Sequence, residues 1–280
     1  MRKINVDDIL GRLGYIVSEK ENGIVYYMSD GNVAKIFDTE FLSELRSVGY
    51  DFEEKILNSK KIINVPEILT PIDALYARGE FVGYTMPMAK GISYDKFNSC
   101  KSYSDACNLY KHACEFSKLE SIIKRSTDVV FPDMISFDNI FYDGKDFEFI
   151  DYDGLQVGKY LSPALSSSLG DRYDYQDSKY KDGLYFNKNL DIKSLIYLYF
   201  INVFNIDLVQ LDYEYSFDRE CLIGNILSDL GIDSDDLKEK IYKLFLSDIP
   251  NEYLGHTMFD IADSYDMSIS SSGKRYLKRK

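Results

Sequence analysis

The stretch Phe131-Pro-Asp-Met-Ile-Ser-Phe-Asp-Asn-Ile-Phe-Tyr142, followed after a short turn by Phe147-Glu-Phe-Ile-Asp-Tyr-Asp-Gly154, decides the expected fold of this chain. Asn-Ile-Phe-Tyr and Phe-Glu-Phe-Ile are β-prone runs, and the Asp-Gly pair between them is a strong hairpin signal because glycine tolerates positive φ. Pairing of the two runs places Asn139 and Asp151 at the same end of the hairpin. The sequence therefore predicts a hairpin that brings an amide and a carboxylate together.

The polar residues around this hairpin predict phosphoryl-transfer chemistry. Carboxylate and amide oxygens are hard ligands that suit Mg²⁺ and its bridged phosphates better than zinc. Asp151 and Asn139 are the candidate metal ligands. Asp133 lies just before the first strand, where it can approach an incoming hydroxyl, and is the candidate catalytic base.

In this order, the acid, the amide and the second acid resemble the eukaryotic-like protein kinase superfamily. The resemblance implies a lysine on an upstream strand and a glutamate on the helix that follows. Gly31-Asn-Val-Ala-Lys-Ile-Phe37 supplies Lys35, which would bind the α- and β-phosphates of ATP. The helical segment 39–61 supplies Glu53, with Glu54 as second choice, to orient that lysine.

Further segments extend the resemblance. Residues 15–27 resemble the glycine-rich loop, in which Gly23 is the one glycine of three that remains. The segment 81–91 resembles the fifth strand and hinge, which implies that Met86 is the gatekeeper and that Met88 faces the adenine. Asp191 opens an apolar helix and would anchor the catalytic segment.

The resemblance leaves the second metal ligand open. The interval from Asp133 to Asn139 is one residue longer than in the family, and without a gap Asp138 takes the ligand position. Either residue supplies a metal oxygen.

The fold implied by the resemblance is α+β and bilobed, as in protein kinases. Residues 1–88 would form a small β-rich N-lobe with one main helix, and residues 89–280 a larger, mainly helical C-lobe. The implied reaction transfers the γ-phosphoryl group of Mg-ATP to a hydroxyl, namely a Ser or Thr of a protein substrate.

The chain departs from the family pattern at several places, so other functions stay open. Phe131-Pro132 replaces the family's basic dipeptide before Asp133, Asp151-Tyr-Asp-Gly154 replaces Asp-Phe-Gly, and 154–189 lacks an Ala-Pro-Glu sequence. One alternative is a small-molecule kinase of the aminoglycoside or choline type. Others are a pseudokinase that binds nucleotide or a partner without catalysis, and a structural acidic domain.

Composition narrows the function classes. The net charge of −13 argues against nucleic acid as a partner, because neutralising phosphates requires a basic face. The longest apolar run is too short for a membrane helix, and the first residues lack the apolar core of a signal peptide. We therefore expect a cytoplasmic protein without a membrane partner.

Two features outside the hairpin carry structural expectations. Cys100, Cys107 and Cys114 recur every seven residues along a helical stretch at 103–124, which predicts that the thiols share one buried helix face. The basic segment 273–280 is expected to be a frayed, solvated terminus, with a docking tag for an acidic partner as the alternative.

Overall fold

The computed structural model describes residues 1–20, 22–47, 49–132, 134, 137–163, 181–182, 185–186, 188–206, 219–246 and 254–280. This part of the chain is mixed α+β. It divides into two compact units, Met1–Ile92 with Asn139–Leu165 and Ser93–Asp138 with Ser166–Lys280. The first unit therefore contains the hairpin of 139–154, which the predicted boundary after residue 88 assigned to the other lobe.

A six-stranded sheet forms the centre of the first unit. Its strands are β1 (Arg2–Asn5), β2 (Leu13–Lys20), β3 (Gly23–Met28), β4 (Asn32–Phe37), β5 (Asp73–Ala77) and β6 (Glu80–Pro87). The order is β1-β5-β6-β4-β3-β2, and every pairing is antiparallel except that of β1 with β5. Strand β4 is central, with Lys35 opposite Tyr84 of β6.

Two glycines allow the neighbouring strands to approach β4 closely. A Cβ on Gly83 would lie 2.1 Å from the carbonyl oxygen of Lys35, on the β6 side. A Cβ on Gly23, whose φ is +145°, would lie 2.3 Å from the carbonyl oxygen of Ile36, on the β3 side. Larger residues would separate the strands, so both glycines fix the position of the strand that carries Lys35.

The predicted single helix over 39–61 is two helices, α1 (Thr39–Ser47) and α2 (Phe52–Ile62). The side chain of Asp51 accepts a hydrogen bond from the backbone N–H of Glu54 and so caps the start of α2. Helix α2 buries Phe52, Lys55, Ile56 and Ser59. A lysine thus lies on the buried face of this helix.

The predicted hairpin is present in the first unit as β9 (Ile140–Tyr142) and β10 (Phe147–Phe149), which pair antiparallel. The backbone N–H of Ile150 donates to the carbonyl oxygen of Asn139 at 3.0 Å, which places the ends of the two strands side by side. Phe149 exchanges backbone hydrogen bonds with Glu67 and Leu69 of the same unit. These bonds attach the hairpin to the segment between α2 and β5.

The second unit is mainly helical. Its helices are α3 (Tyr94–Ser99), α4 (Tyr103–Ala106), α5 (Leu109–Arg125), α6 (Lys188–Tyr199), α7 (Arg219–Leu230), α8 (Asp235–Leu246) and α9 (Leu254–Ser264). Helix α5 packs against α6 and α9. The rings of Phe116 and Tyr199 meet edge to face, with their centroids 5.1 Å apart. A π-helical turn at Phe200–Phe204 continues α6.

The remaining short strands are β7 (Ile92–Ser93), β8 (Val129–Val130), β11 (Gln156–Val157), β12 (Lys181–Asp182), β13 (Tyr185–Phe186), β14 (Tyr265–Ile269) and β15 (Arg275–Arg279). Within the described ranges, no helix combines the length and the apolar composition needed to cross a bilayer.

The prediction of a buried face of thiols is wrong. Helix α4 ends at Ala106 and α5 begins at Leu109, and the side chain of Asn108 caps α5 by accepting from the N–H of Lys111. Because α4 and α5 are separate helices, the seven-residue spacing does not place the three thiols on one helix face. Cys100 is exposed, and Cys107 and Cys114 are half-buried.

The prediction of a frayed C-terminal segment is also wrong. Residues Arg275–Arg279 form β15, which pairs with β14 over five residues. Leu277 is buried, and the Arg275 guanidinium donates to the carbonyl oxygens of Asn202 and Val203. Burial of one apolar side chain and these cation–carbonyl bonds hold the segment in place.

Candidate functional site

Lys35 lies at the centre of a charged cluster in the first unit. Its ammonium donates to Asp151 Oδ1 at 2.9 Å and to Asp153 Oδ2 at 2.6 Å. Burial disfavours the charged lysine, but the charges of Asp153 and Asp151 and their hydrogen bonds outweigh burial and raise the pKa of Lys35. Lys35 is therefore a cation held between two carboxylates.

Local backbone geometry presents the carboxylate of Asp151. The residue adopts a left-handed conformation, with φ 59° and ψ 47°, directly after the hairpin and before a 3₁₀ turn at Tyr152–Gly154. A Cβ on Gly154 would lie 2.7 Å from Asp151 Oδ2, so the glycine leaves room for the carboxylate. Burial and the charge of Asp153 raise the pKa of Asp151, against the opposing charge of Lys35.

Asp153 is the buried member of the carboxylate pair. Only 1% of its side chain is exposed, compared with 31% of the Asp151 side chain. Tyr84 on β6 donates from its hydroxyl to Asp153 Oδ1 at 2.5 Å. Burial opposes ionisation of Asp153, but the charge and hydrogen bond of Lys35 and the bond from Tyr84 prevail and lower its pKa. Both Asp153 oxygens are thus used by groups of the sheet.

Lys55 approaches the same segment from α2. Its ammonium donates to the carbonyl oxygen of Asp153 at 2.8 Å, to that of Leu155, and to the Tyr50 hydroxyl at 3.2 Å. Burial lowers the pKa of Lys55 to about 7, although the charges of Asp153 and Asp151 oppose this shift. A second lysine therefore holds the backbone next to Asp151.

The predicted partnership between Lys35 and Glu53 is not formed in the structure. Glu53 accepts from Lys3 at 3.0 Å and from the Tyr76 hydroxyl. Glu54, the second choice, accepts from the Tyr160 hydroxyl at 2.8 Å. Both acids lie on faces of α2 other than the buried one, because the inward position of the helix is taken by Lys55.

The remaining predicted nucleotide-binding residues also lie in the first unit. Gly23 begins β3, where it packs against the backbone of β4. Met86 is buried on β6, opposite Val33, and Met88 is exposed just after that strand. The structure thus supplies a packing reason for Gly23 that is independent of nucleotide binding.

The residues predicted around the hairpin are described only in part. Asn139 ends a 3₁₀ turn at Phe137–Asn139, and its backbone is bonded to the residue before Asp151. Asp138 is exposed in that turn. Asp133, the predicted base, lies outside the described residues.

Asp191 occupies the predicted anchoring position in the second unit. Its fully buried carboxylate accepts from the backbone N–H of Phe131 at 2.8 Å and from Lys188 at 2.7 Å. Burial raises the pKa of Asp191, although Lys188 and the N–H of Phe131 stabilise the ionised form. Asp191 therefore holds the backbone two residues before Asp133.

The side-chain oxygens of Asp151 and Asn139 could supply part of the coordination shell of Mg²⁺. Magnesium is commonly held by one or two carboxylates together with substrate phosphates, rather than by a cage made only of protein. The partly exposed carboxylate of Asp151 and the amide of Asn139 belong to this donor class. Among the described residues, no group of three or more His, Cys, Asp or Glu side chains could hold a metal ion by itself.

No family model matches the chain, and no curated protein matches its sequence.

Sequence reasoning missed three residues of the cluster: Asp153, Lys55 and Tyr84. Asp153 replaces a glycine of the family pattern, and it could be interpreted as an additional metal ligand or a solvated acid. A clue to Lys55 was available, because it follows the apolar Phe52 by three residues and therefore lies on the same helix face. Tyr84 carried no such signal, since its partner is distant in sequence.

Proposed function

We propose that this protein is an ATP-dependent phosphotransferase with a bilobed, protein-kinase-like fold. It transfers the γ-phosphoryl group of Mg-ATP to a hydroxyl, namely a Ser or Thr of a protein substrate. The observation that carries the proposal is the 2.9 Å hydrogen bond between Lys35 and Asp151, two residues 116 positions apart that the kinase resemblance selects as the phosphate-binding lysine and the metal-binding aspartate.

Each residue would have a defined role in this reaction. An ammonium has three N–H donors, and the two carboxylates take two of them, which leaves one for a phosphate oxygen of ATP. Asp151 and Asn139 would hold Mg²⁺, which neutralises phosphate charge when bound. Asp133 would orient the acceptor hydroxyl and accept its proton, and Asp191 would support it through the backbone N–H of Phe131.

The test is phosphate transfer from radiolabelled ATP to generic Ser/Thr protein substrates in the presence of Mg²⁺. We expect Asp133→Asn and Lys35→Met each to lower turnover by about 100-fold or more, because phosphoryl transfer depends on positioning and electrostatics. Asp146→Asn, in the exposed hairpin turn, is the matched control and should keep wild-type turnover. Wild-type turnover in both site variants would refute the proposal.

A second candidate is a pseudokinase that binds nucleotide or a partner without catalysis. It is favoured by the position of Glu53, which bonds Lys3 and Tyr76 instead of Lys35. Thermal-shift measurements with ATP, with and without Mg²⁺, separate the two functions. Stabilisation by ATP that needs no metal, together with no phosphate transfer, would support the pseudokinase.

A further inference from the structure

We propose that Asp153 is the residue that positions Lys35 for phosphate binding, in the role that the kinase pattern gives to a helix glutamate. The inference rests on the proposed function and deepens it. It concerns which acid holds the lysine, and it follows from side-chain contacts within the first unit.

The first step is the geometry of the pair. Asp153 Oδ2 lies 2.6 Å from Lys35 Nζ, closer than the 2.9 Å of Asp151 Oδ1. The Tyr84 hydroxyl donates to the other Asp153 oxygen, Oδ1. Because Lys35 and Tyr84 are register partners on adjacent strands, the sheet itself orients the carboxylate. Asp153 is therefore fixed between β4 and β6.

The second step concerns α2, where the kinase pattern places the orienting acid. The helix turns Lys55 toward the segment that contains Asp153, and this lysine is fully buried. Glu53 and Glu54 bond other partners, and their side chains are 38% and 42% exposed. Helix α2 thus contributes a lysine side chain that holds the backbone, and the acid comes from the segment itself.

The third step concerns the different exposure and partners of the two carboxylates. Asp151 is 31% exposed and can meet a ligand, whereas Asp153 is 1% exposed and accepts at one oxygen from Lys35 and at the other from Tyr84. If Asp151 turns to a metal ion, Lys35 still keeps Asp153 as a partner. One carboxylate can therefore serve the ligand while the other keeps the lysine in place.

The experiment compares Asp153→Asn, Glu53→Gln and the control Asp146→Asn in Mg-ATP affinity and in the KM for ATP and kcat of phosphate transfer. For Asp153→Asn we expect affinity for ATP to fall by about tenfold, as for loss of one charged hydrogen bond, with KM rising. Glu53→Gln should stay within about twofold of the wild type, because its contacts are elsewhere. A loss of affinity in Glu53→Gln with none in Asp153→Asn would overturn the inference.

Tyr84→Phe provides a second variant in case Asp153→Asn does not fold. It removes only the hydroxyl that orients Asp153 and leaves the Lys35–Asp153 ion pair in place, so we expect a smaller increase in the KM for ATP, about threefold. An unchanged KM in folded Tyr84→Phe would contradict the role of Asp153. If the wild type binds no ATP, the proposed function itself fails. If the wild type binds ATP and both variants bind it equally well, only this inference fails.

Discussion

Lys35 shows how a buried side chain can stay charged. Its two carboxylate partners raise its pKa, so the side chain is a cation despite its burial. The sequence predicted Lys35 and Asp151 separately, through their resemblance to kinase positions. It did not predict Asp153, because a contact across 118 residues leaves no local pattern and the residue replaces a glycine of the family motif.

Removing the Lys35 charge should destabilise the fold. In Lys35→Met, the buried Asp153 loses its cation, and breaking a buried pair in this way costs about 3 kcal/mol in the free energy of unfolding. Urea denaturation measures the difference, with the exposed Lys60→Met on α2 as a control expected to change little.

The same measurement on Lys35→Met/Asp153→Asn tests the cause. Replacing the carboxylate by an amide removes the uncompensated charge, so the double variant should be more stable than Lys35→Met alone. Losses that simply add would show that the two residues do not depend on each other.

Helix α2 illustrates why a helix can be predicted while its buried face is not. Successive residues are separated by about 100°, so Glu53 and Lys55 lie about 200° apart around the axis. The prediction that Glu53 points inward therefore selected the face of the helix opposite to the one that is buried. The apolar partners of Lys55, above all Phe52 and Ile56, decide which side is buried.

Strands β4 and β6 depend on Gly83 for their spacing. In Gly83→Ala, the new Cβ would lie 2.1 Å from the carbonyl oxygen of Lys35, so the strands must shift, at a cost of about 1–3 kcal/mol. We expect urea denaturation to show this loss and ATP affinity to fall with it, since Lys35 is on the displaced strand.

Gly11→Ala is the matched control for this variant. Its Cβ would meet no atom within 4 Å, and its φ is not positive, so its stability should stay near that of the wild type. Equal stability of the Gly83 and Gly11 variants would mean that β4 and β6 are not in close contact.

The C-terminal hairpin gives a prediction for the second unit. Leu277 is 4% exposed on β15, and Leu277→Ala should lower the free energy of unfolding by about 2–3 kcal/mol because a buried side chain is truncated. The neighbouring Lys278→Ala, on an exposed position of the same strand, should be nearly neutral. Equally small effects of both variants would indicate that the segment 273–280 is frayed, as the sequence predicted.

Across both units, the sequence predicted local pattern better than long-range contacts. The hairpin of Ile140–Phe149 was recognisable from its turn residues, and the anchoring position of Asp191 was predicted from the resemblance to kinases. The assignment of the hairpin to the first unit depends on backbone bonds of Phe149 with residues about 80 positions earlier. Such bonds have no periodicity in the sequence, and the kinase-like arrangement of the two units stays a prediction.

The pH dependence of the free energy of unfolding should report the lowered pKa of Lys55. Its pKa is about 7 in the fold and 10.5 when unperturbed, so between these values the unfolded chain binds one more proton than the folded chain. Stability from this residue is therefore fully present above pH 10.5 and is lost as pH falls toward 7, by at most about 1.4 kcal/mol per pH unit.

Because other groups of this acidic chain also titrate, the informative quantity is the difference in unfolding free energy between wild type and Lys55→Met. We expect urea denaturation to show that this difference changes in favour of the wild type from pH 7.5 to pH 9.5, by about 1 kcal/mol per unit. A constant difference for Lys55→Met across this pH range would mean that the buried ammonium keeps an ordinary pKa.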